Sequence, residues 1–348
     1  MSMDPRVSPS AAGAPVDIDE LASFIAAVQK ENGEIPWSPG GKTDPWDHVE
    51  SAMGLSAAGR IEDAGRAYAW MTATQLEDGS WWSSVRDGVP EDRTREANFS
   101  SYVAVGVFHH YLVTGDRNFL KRLWPTVRKG VDFSVSLQGR AGQIYWAKNP
   151  DGAVDRMALL TGSSSVFMSL RCALATAGIL GEQKPAWEEA LRRLGEAIRM
   201  KPSLFNMIKS RFSMDWYYPI LCGAVTGAEA RRRIDRSWEK FVIPDWGVRC
   251  VSDQPWVTLA ETSELVMALA ACGRIEQAMI LFSWILNKKD EQGRYWMGVT
   301  VPDAVIWPEE RTSWTAAAIL LAYDTLYDLT PAGRLFRHTL WQRWTTQC

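Results

Sequence analysis

The chain lacks most of the features that announce a chemistry. It has no basic block: 38 Lys and Arg stand against 41 Asp and Glu, scattered, for a net charge of −3. That balance argues against a nucleic-acid partner, whose phosphates require a positive face. Five cysteines (Cys172, Cys222, Cys250, Cys272, Cys348) are odd in number, far apart and never in a CxxC pair. Neither a disulfide framework nor a zinc site is expected from them. No apolar run is read as reaching the ~20 residues that span a bilayer. The N-terminal MSMDPRVSPSAAGAPVDIDE lacks the basic-then-apolar pattern of a signal peptide. No membrane partner is expected, and the location expected is cytoplasmic. GxGxxG, Walker and GxSxG patterns are absent, which removes the usual dinucleotide, nucleoside-triphosphate and serine-nucleophile readings. No cofactor and no metal is expected. Strand-like alternation is scarce, and there are only four histidines (His48, His109, His110, His338).

What the chain has is tryptophan, 18 of them. Core packing accounts for about half. Trp46, Trp81, Trp82, Trp146, Trp216, Trp256, Trp296 and Trp307 instead stand beside charged residues and turn glycines. Aromatic faces next to carboxylates and amides suit a groove that stacks on sugar rings or encloses an apolar chain.

Helical periodicity runs nearly throughout. It predicts helices over 19–31, 46–59, 61–75, 97–115, 116–138, 163–177, 185–200, 214–225, 227–240, 257–272, 274–287, 312–326 and 332–343. Asp116 is placed to cap the helix that follows Gly115. Tight turns join the helices in pairs: SAAGRIED, LVTGDRNF, LGEQKPAW, VTGAEARR, ACGRIEQA and YDLTPAGR. Longer loops rich in Gly, Trp and charge separate the pairs. This rhythm predicts an all-α fold, an (α/α)6 toroid of six helical hairpins over residues 17–348, with 1–16 as a disordered lead. A solenoid of hairpins is the alternative. A repeat of the form QLEDGSWW (75–82), QGRAGQIYW (138–146) and DEQGRYW (290–296) follows three of the helices.

In such a ring the loops leading into the inner helices meet at one end. The stretch GKTDPWDHVE (41–50) reads as one of these mouths. Asp44 caps the helix with Pro45 in its first turn. Asp47, His48 and Glu50 project into the funnel, or Asp47 merely closes a capping box. Four more mouths carry an aromatic and a carboxylate: 92–102 with Arg95, Glu96, Asn98 and Tyr102; 211–220 with Asp215, Trp216, Tyr217 and Tyr218; 247–264 with Arg249, Asp253, Trp256, Glu261 and Glu264; and 307–317 with Glu309, Glu310, Arg311 and Trp314.

Paired carboxylates among aromatic platforms are what glycoside hydrolysis requires: one carboxylic acid for the leaving oxygen, one carboxylate for the opposite face. Glu261 interrupts the apolar helix WVTLAETSELVMALAACG, so it is either paired, for instance with Arg249, or functional. Glu264 lies one turn on, on the same face. Asp215 and Asp253 are reserve carboxylates. Trp46, His48, Glu50, Asn98, Tyr102, Asp215, Trp216, Tyr217, Arg249, Asp253, Trp256, Glu264 and Trp314 are the candidate substrate ligands. The expected partner is a polysaccharide or oligosaccharide; oligomeric state is left open. His109 and His110 fall late in a helix and read as structural.

The hairpin rhythm resembles the six-hairpin glycoside hydrolases, glucoamylase-like enzymes included. SSSVFMSLRCAL and MALAACGRIEQAMILFSWILNKKDEQG resemble helices of bacterial members, although a Ser-Lys pair of theirs lacks its lysine here. PGGKTDPWDHVESAM, LLTGSSS, MDWYYPIL and GVRCVSDQPWVTLAETSE together resemble an actinobacterial family with mycobacterial members, often labelled prenyltransferase from its QW-like turns. That resemblance implies an endo-acting α-mannosidase of methylmannose polysaccharide, inverting, with Asp47 and Glu261 as the catalytic pair. Which is acid and which base stays open. The last long loop, MGVTVPDAVIWPEE, departs from the glucoamylase-like Glu-rich pattern, so Glu261 is preferred to Glu309 or Glu310.

Three rivals remain. GRAYAWMTATQLEDGSW resembles the QW repeat of terpene cyclases, but DxDD and DDxxD are absent and no zinc set is recognisable. A non-catalytic glycan-binding toroid would keep the aromatics without needing paired acids. An epimerase would need histidine bases in the funnel, and only His48 is placed for that.

Overall fold

The computed structural model describes residues 16–290 and 294–345. Its helices in chain order are α1 (Ile18–Val28), α2 (Pro45–Ala57), α3 (Ile61–Thr74), α4 (Ala97–Thr114), α5 (Arg117–Ser136), α6 (Leu160–Leu180), α7 (Pro185–Met200), α8 (Ser213–Leu221), α9 (Gly227–Phe241), α10 (Leu259–Ala271), α11 (Ile275–Leu286), α12 (Ser313–Tyr327) and α13 (His338–Thr345). Asp44 caps α2 by accepting from the Asp47 N–H at 2.9 Å, with Pro45 at the first helical position. Asp116 caps α5, accepting from the N–H groups of Asn118 and Phe119. The expected lead falls outside the described residues except Val16, which is buried.

Burial on every side marks the inner helices. Every residue of α2 and of α10 is buried, and α4, α6, α8 and α12 are apolar almost all round. These six form the inner ring, each packing on the next and α12 closing on α2. The amphipathic α3, α5, α7 and α9, with the more apolar α11, form the outer layer. The result is the (α/α)6 toroid. Its sixth outer helix is α1, which packs on α12 from the other end of the chain. The helix expected over 332–343 does not fill that place. Thr330 and Gly333 fold back onto Asp324, the Thr330 N–H donating to Asp324 Oδ1 at 2.6 Å, and the chain breaks into a short 3-10 turn, Pro331–Arg334. Helix α13 then crosses the base, with the Trp341 ring 6.0 Å from Phe108 and Arg171 over it at 4.1 Å. Helix α6 corrects another expectation: at 21 residues it is apolar and long enough to cross a bilayer, yet 72% of its apolar window is buried in the ring.

The QW-like repeat turns out to be mortar in the outer wall. Gln75 Nε2 donates to Gly79 O and to Thr126 O of α5; Gln138 Nε2 donates to Gly142 O and to Ala190 O of α7. The turn QKENG (29–33) makes the same bonds, Gln29 Nε2 donating to Gly33 O and to Asp63 O of α3, while the centre of DEQGRYW, 291–293, lies outside the described residues. Each glycine has φ between 92° and 104°, and a Cβ there would sit 2.2–2.5 Å from a carbonyl oxygen of the next outer helix. The pattern thus ties α1 to α3, α3 to α5 and α5 to α7, and says nothing about the reaction.

Short strands line the opposite face of the ring from α13. Strands β1 (Ser84–Arg86) and β2 (Val89–Asp92) form a hairpin; β3 (Arg95–Glu96), β4 (Ala147–Lys148) and β5 (Val154–Asp155) a three-stranded sheet. Strands β6 (Val242–Ile243), β7 (Gly247–Arg249), β8 (Trp256–Thr258) and β9 (Gly298–Thr300) form an antiparallel four-stranded sheet, with Thr258 opposite Val248 on one side and Gly298 on the other. These strands lead directly into α4 and α10, and so set where the first residues of those helices stand.

Candidate active site

The six inner helices point their N-termini at this strand-lined mouth, where unsatisfied N–H groups and the helix dipoles favour negative charge. Carboxyl groups gather there. Asp47 and Glu50 lie one turn apart on α2; Glu261 and Glu264 lie one turn apart on α10, and both helices pack against α12. All four are buried.

Their surroundings differ. Burial, with Asp44, Glu50 and a hydrogen bond to Asp44 adding to it, pushes the Asp47 carboxyl well above the usual range. Glu261 is also raised by burial, but three donors act against that. Thr258 Oγ1 donates to its Oε2 at 2.5 Å, Ser213 Oγ to its Oε1 at 3.0 Å, and the Cys250 thiol adds a third. Among the described residues Glu261 has no ion-pair partner, so the alternative pairing with Arg249 does not form. Asp47 is thus the carboxyl with acidic neighbours, and Glu261 the one supplied with hydroxyl and thiol donors.

Below them, Glu264 accepts from the hydroxyls of Tyr217 and Tyr218, the latter at 2.7 Å. Glu50 accepts from Trp46 Nε1 at 2.9 Å. Burial pushes Glu50 up to about 7. Burial first, and the nearby Glu50 second, push Glu264 well above the carboxylate range. Trp46 stacks on Tyr102 at 4.9 Å and leans on Tyr218 at 5.4 Å, so aromatic rings wall this layer. Trp314 lies near enough to Glu50 to lower its pKa, yet its indole N–H completes no hydrogen bond. Its ring stands 5.7 Å from Trp37. From Trp37 an open groove of about 510 Å³ runs past Gly41, Lys42, Arg86 and Glu310.

Several expected ligands stand elsewhere. His48 does not face the funnel: its Nδ1 accepts from the Ile35 N–H and its Nε2 donates to Ala67 O, both at 3.0 Å, which fixes the tautomer. Burial lowers it to about 4. It faces Trp70 at 4.5 Å between α2 and α3, one residue round the helix from Asp47. Trp216 turns outward, donating to Arg233 O and stacking on Phe241 of α9. Asp215 ties down the start of α6, accepting from the Thr161 N–H and Oγ1. Asp253 is exposed and paired with Arg211 at 2.7 Å. Arg249 reaches Lys240 O rather than a carboxylate. Trp256 sits on the rim, its N–H on Trp307 O. Asn98 lies beside Gly162 at the start of α6.

The sequence reading missed Ser213, Thr258 and Cys250 as partners of Glu261, and Trp37 as a groove wall. Ser213 is 48 positions from Glu261, and a serine opening a helix reads as a cap. Only the strand-to-helix step WVTLAE hinted that Thr258 would reach the glutamate three residues on. Among the described residues no group of three or more His, Cys, Asp or Glu is placed to hold a metal ion.

Comparison with known proteins adds to this geometry. No family model matches the chain. Among solved structures, a wild-type glycosidase superposes with a TM-score of 0.69 at 15% identity, over 90% of this chain and 97% of that one. A GH63 mannosylglycerate hydrolase from Thermus thermophilus in complex with glucose gives 0.66 at 14%, over 86% and 98%. A D-mannose isomerase gives 0.68 at 10%, over 88% and 95%. These likenesses establish the toroid; with an isomerase among them they leave the reaction open. The MMP endo-(1,4)-3-O-methyl-alpha-D-mannosidase of Mycolicibacterium hassiacum is 49% identical over 323 residues, 93% of this chain and 89% of the relative. The terpene-cyclase and prenyltransferase readings fall with that match. This chain belongs to the family of that endo-mannosidase.

Proposed function

We propose that this protein is an endo-acting glycoside hydrolase that cleaves the α-(1→4) links of a 3-O-methylmannose polysaccharide, as its relative is named for doing. The observation that carries the reading is the unlike housing of two carboxyls at the mouth. Asp47, kept protonated by burial and its acidic neighbours, gives its proton to the leaving glycosidic oxygen. Glu261, held by hydroxyl and thiol donors, takes a proton from water as that water's oxygen bonds to the anomeric carbon. The old C–O bond breaks as the new one forms, and the product is inverted. Methyl ethers make the substrate partly apolar, which suits the tryptophan and tyrosine faces. The open groove beyond Trp37 and Trp314 suits a chain that continues past the cut.

A histidine-based isomerase or epimerase fits poorly. His48 spends both ring nitrogens on backbone groups, and His338 lies at the far end, on Ile220 O. The test is product analysis on methylmannose polysaccharide by chromatography, with proton NMR of the first-formed anomer. Short oligosaccharides with a β reducing end, absent with folded Asp47→Asn or Glu261→Gln protein, are expected. An intact polysaccharide that still binds wild-type protein would leave a glycan-binding toroid instead; α products would mean retention.

A further inference from the structure

Glu50 and Glu264 stand beneath Asp47 and Glu261, each a helical turn (~4.5 Å of rise) farther along the same helix. Burying two more carboxyls is expensive, and no ion pair compensates them among the described residues. The charged and titratable groups around them are Asp44, Asp47 and Lys42 at α2, Tyr102 on α4, Tyr217, Tyr218 and Cys222 on α8, Glu261 on α10, and Cys172 with Arg171 on α6. The one buried cation of that set, Arg171, faces Cys172, Cys222 and the Trp341 ring rather than the carboxyls. A structural role alone would be served as well by apolar side chains.

We propose that Glu50 and Glu264 are a second carboxyl pair that shares one proton beneath the mouth and acts on the reaction through its single negative charge, as positioning residues that touch no substrate. The geometry supports this. Both oxygens of Glu264 are occupied by tyrosine hydroxyls, and one oxygen of Glu50 by Trp46. Trp46 and Tyr218 pack against each other and so link the two carboxyls' hydrogen-bond partners in one layer. Both carboxyls are buried in that layer. Like charges this deep cannot both ionise, so the pair keeps a proton between them and titrates as a unit. The remaining charge acts upward in two ways. It helps Asp47, which senses Glu50, to hold its proton. It also stabilises the positive charge that develops on the sugar ring as the bond breaks.

The proposal rests on the hydrolase reading, and the test separates the two. Full-chain wild type, Glu50→Gln, Glu264→Gln and the double variant are compared for thermal unfolding, for kcat and KM on methylmannose polysaccharide, and for the pH dependence of kcat. Glutamine mimics the protonated partner, so each single variant keeps the charge and loses about threefold in kcat. The double variant removes the charge and loses on the order of 100-fold, with KM within about twofold. Its alkaline limb moves to lower pH, because Asp47 then gives up its proton sooner. A single variant as impaired as the double, or a double variant with an unmoved alkaline limb, overturns the proposal. Infrared spectroscopy provides the arm without substrate: near neutral pH each single variant should lose one protonated-carboxyl band, since its remaining partner is ionised. Unchanged bands in both single variants also overturn the shared proton. Loss of the bands in a protein that cleaves nothing would sink the hydrolase reading and leave the pair standing.

Discussion

The same six inner helices end in two very different ways. At their C-termini the chain turns at once through left-handed residues, Gly59, Gly115, Gly181, Gly223, Gly273 and Asp328, and α13 lies across the base. At their N-termini it takes long excursions through strands and aromatic loops. Both ends bury titratable groups, and burial disfavours charge at both, but with opposite consequences. Carboxyls at the mouth are pushed up and keep their protons: Glu50 and Glu96 to about 7, Asp47 and Glu264 higher than usual. Histidines in the lower half of α4 are pushed down and lose theirs: His109 to about 3 and His110 to about 4. One end keeps its carboxyls protonated towards neutral pH; the other keeps its histidines neutral. Chemistry in this fold is thus a property of the loops, with the ring as the common support.

The sharpest way to break the comparison is to exchange the effects of the two ends. Asp47→Asn or Glu261→Gln should cost about 10³-fold or more in kcat while leaving the thermal midpoint close to that of the wild type. If His109→Leu at the base cost as much activity, the division between the ends would be wrong. What His109→Leu should change is stability. Both ring nitrogens of His109 lack a hydrogen-bond partner among the described residues. Its folded pKa is depressed to about 3, so its neutral form contributes stability fully present above the unfolded value of about 6.5 and lost as pH falls towards 3. The variant should therefore outlast the wild type in urea by about 2–3 kcal/mol more at pH 4.5 than at pH 7.5. The mouth runs the other way. Raised Glu50 and Glu96 contribute stability present below their unfolded value of about 4.5, lost as pH climbs through about 7. Glu96→Gln should accordingly flatten the stability curve between about pH 4.5 and 7, and a curve unchanged there would remove Glu96 from the mouth's proton-holding set.

Smaller again is the effect of the groove wall. Trp314→Ala removes the ring between Glu50 and Trp37, and should lower kcat/KM about tenfold, through KM more than kcat. A pure kcat loss would mean that Trp314 acts on the carboxyls instead.

How much of this was legible depended on distance along the chain. The ring was readable because hairpin turns and all-round apolar helices are local patterns. Asp44 as a cap and Asp47 beyond it were readable for the same reason, and so was the shared face of Glu261 and Glu264. What failed was the direction of side chains separated by one position on a helix: His48 and Trp216 adjoin Asp47 and Tyr217 in sequence but turn a further ~100° and face the outer layer. Also illegible were partners brought together by ring closure. Ser213 on Glu261, α1 on α12 and Trp37 on Trp314 each join segments that no local period connects. The QW-like turns misled in a useful way, since Gln29, Gln75 and Gln138 tie neighbouring outer helices together and stand apart from the carboxyls.

The smallest expected effect marks the outer limit of the mouth. Asp253 has the carboxylate-and-aromatic context of the other candidates, with Trp256 three residues on. The structure leaves its side chain 60% exposed and paired with Arg211, itself 44% exposed. Such a pair is screened by water and salt, so Asp253→Ala should change stability by no more than about 0.5 kcal/mol. Activity on long polysaccharide should stay within about twofold of the wild type. The substrate length matters here, because a rim residue can act only on sugars far from the cut. A tenfold loss on long chains with none on short oligosaccharides would extend the binding surface across the β6–β9 sheet. It would also return Asp253 to the set of glycan ligands that its sequence context proposed.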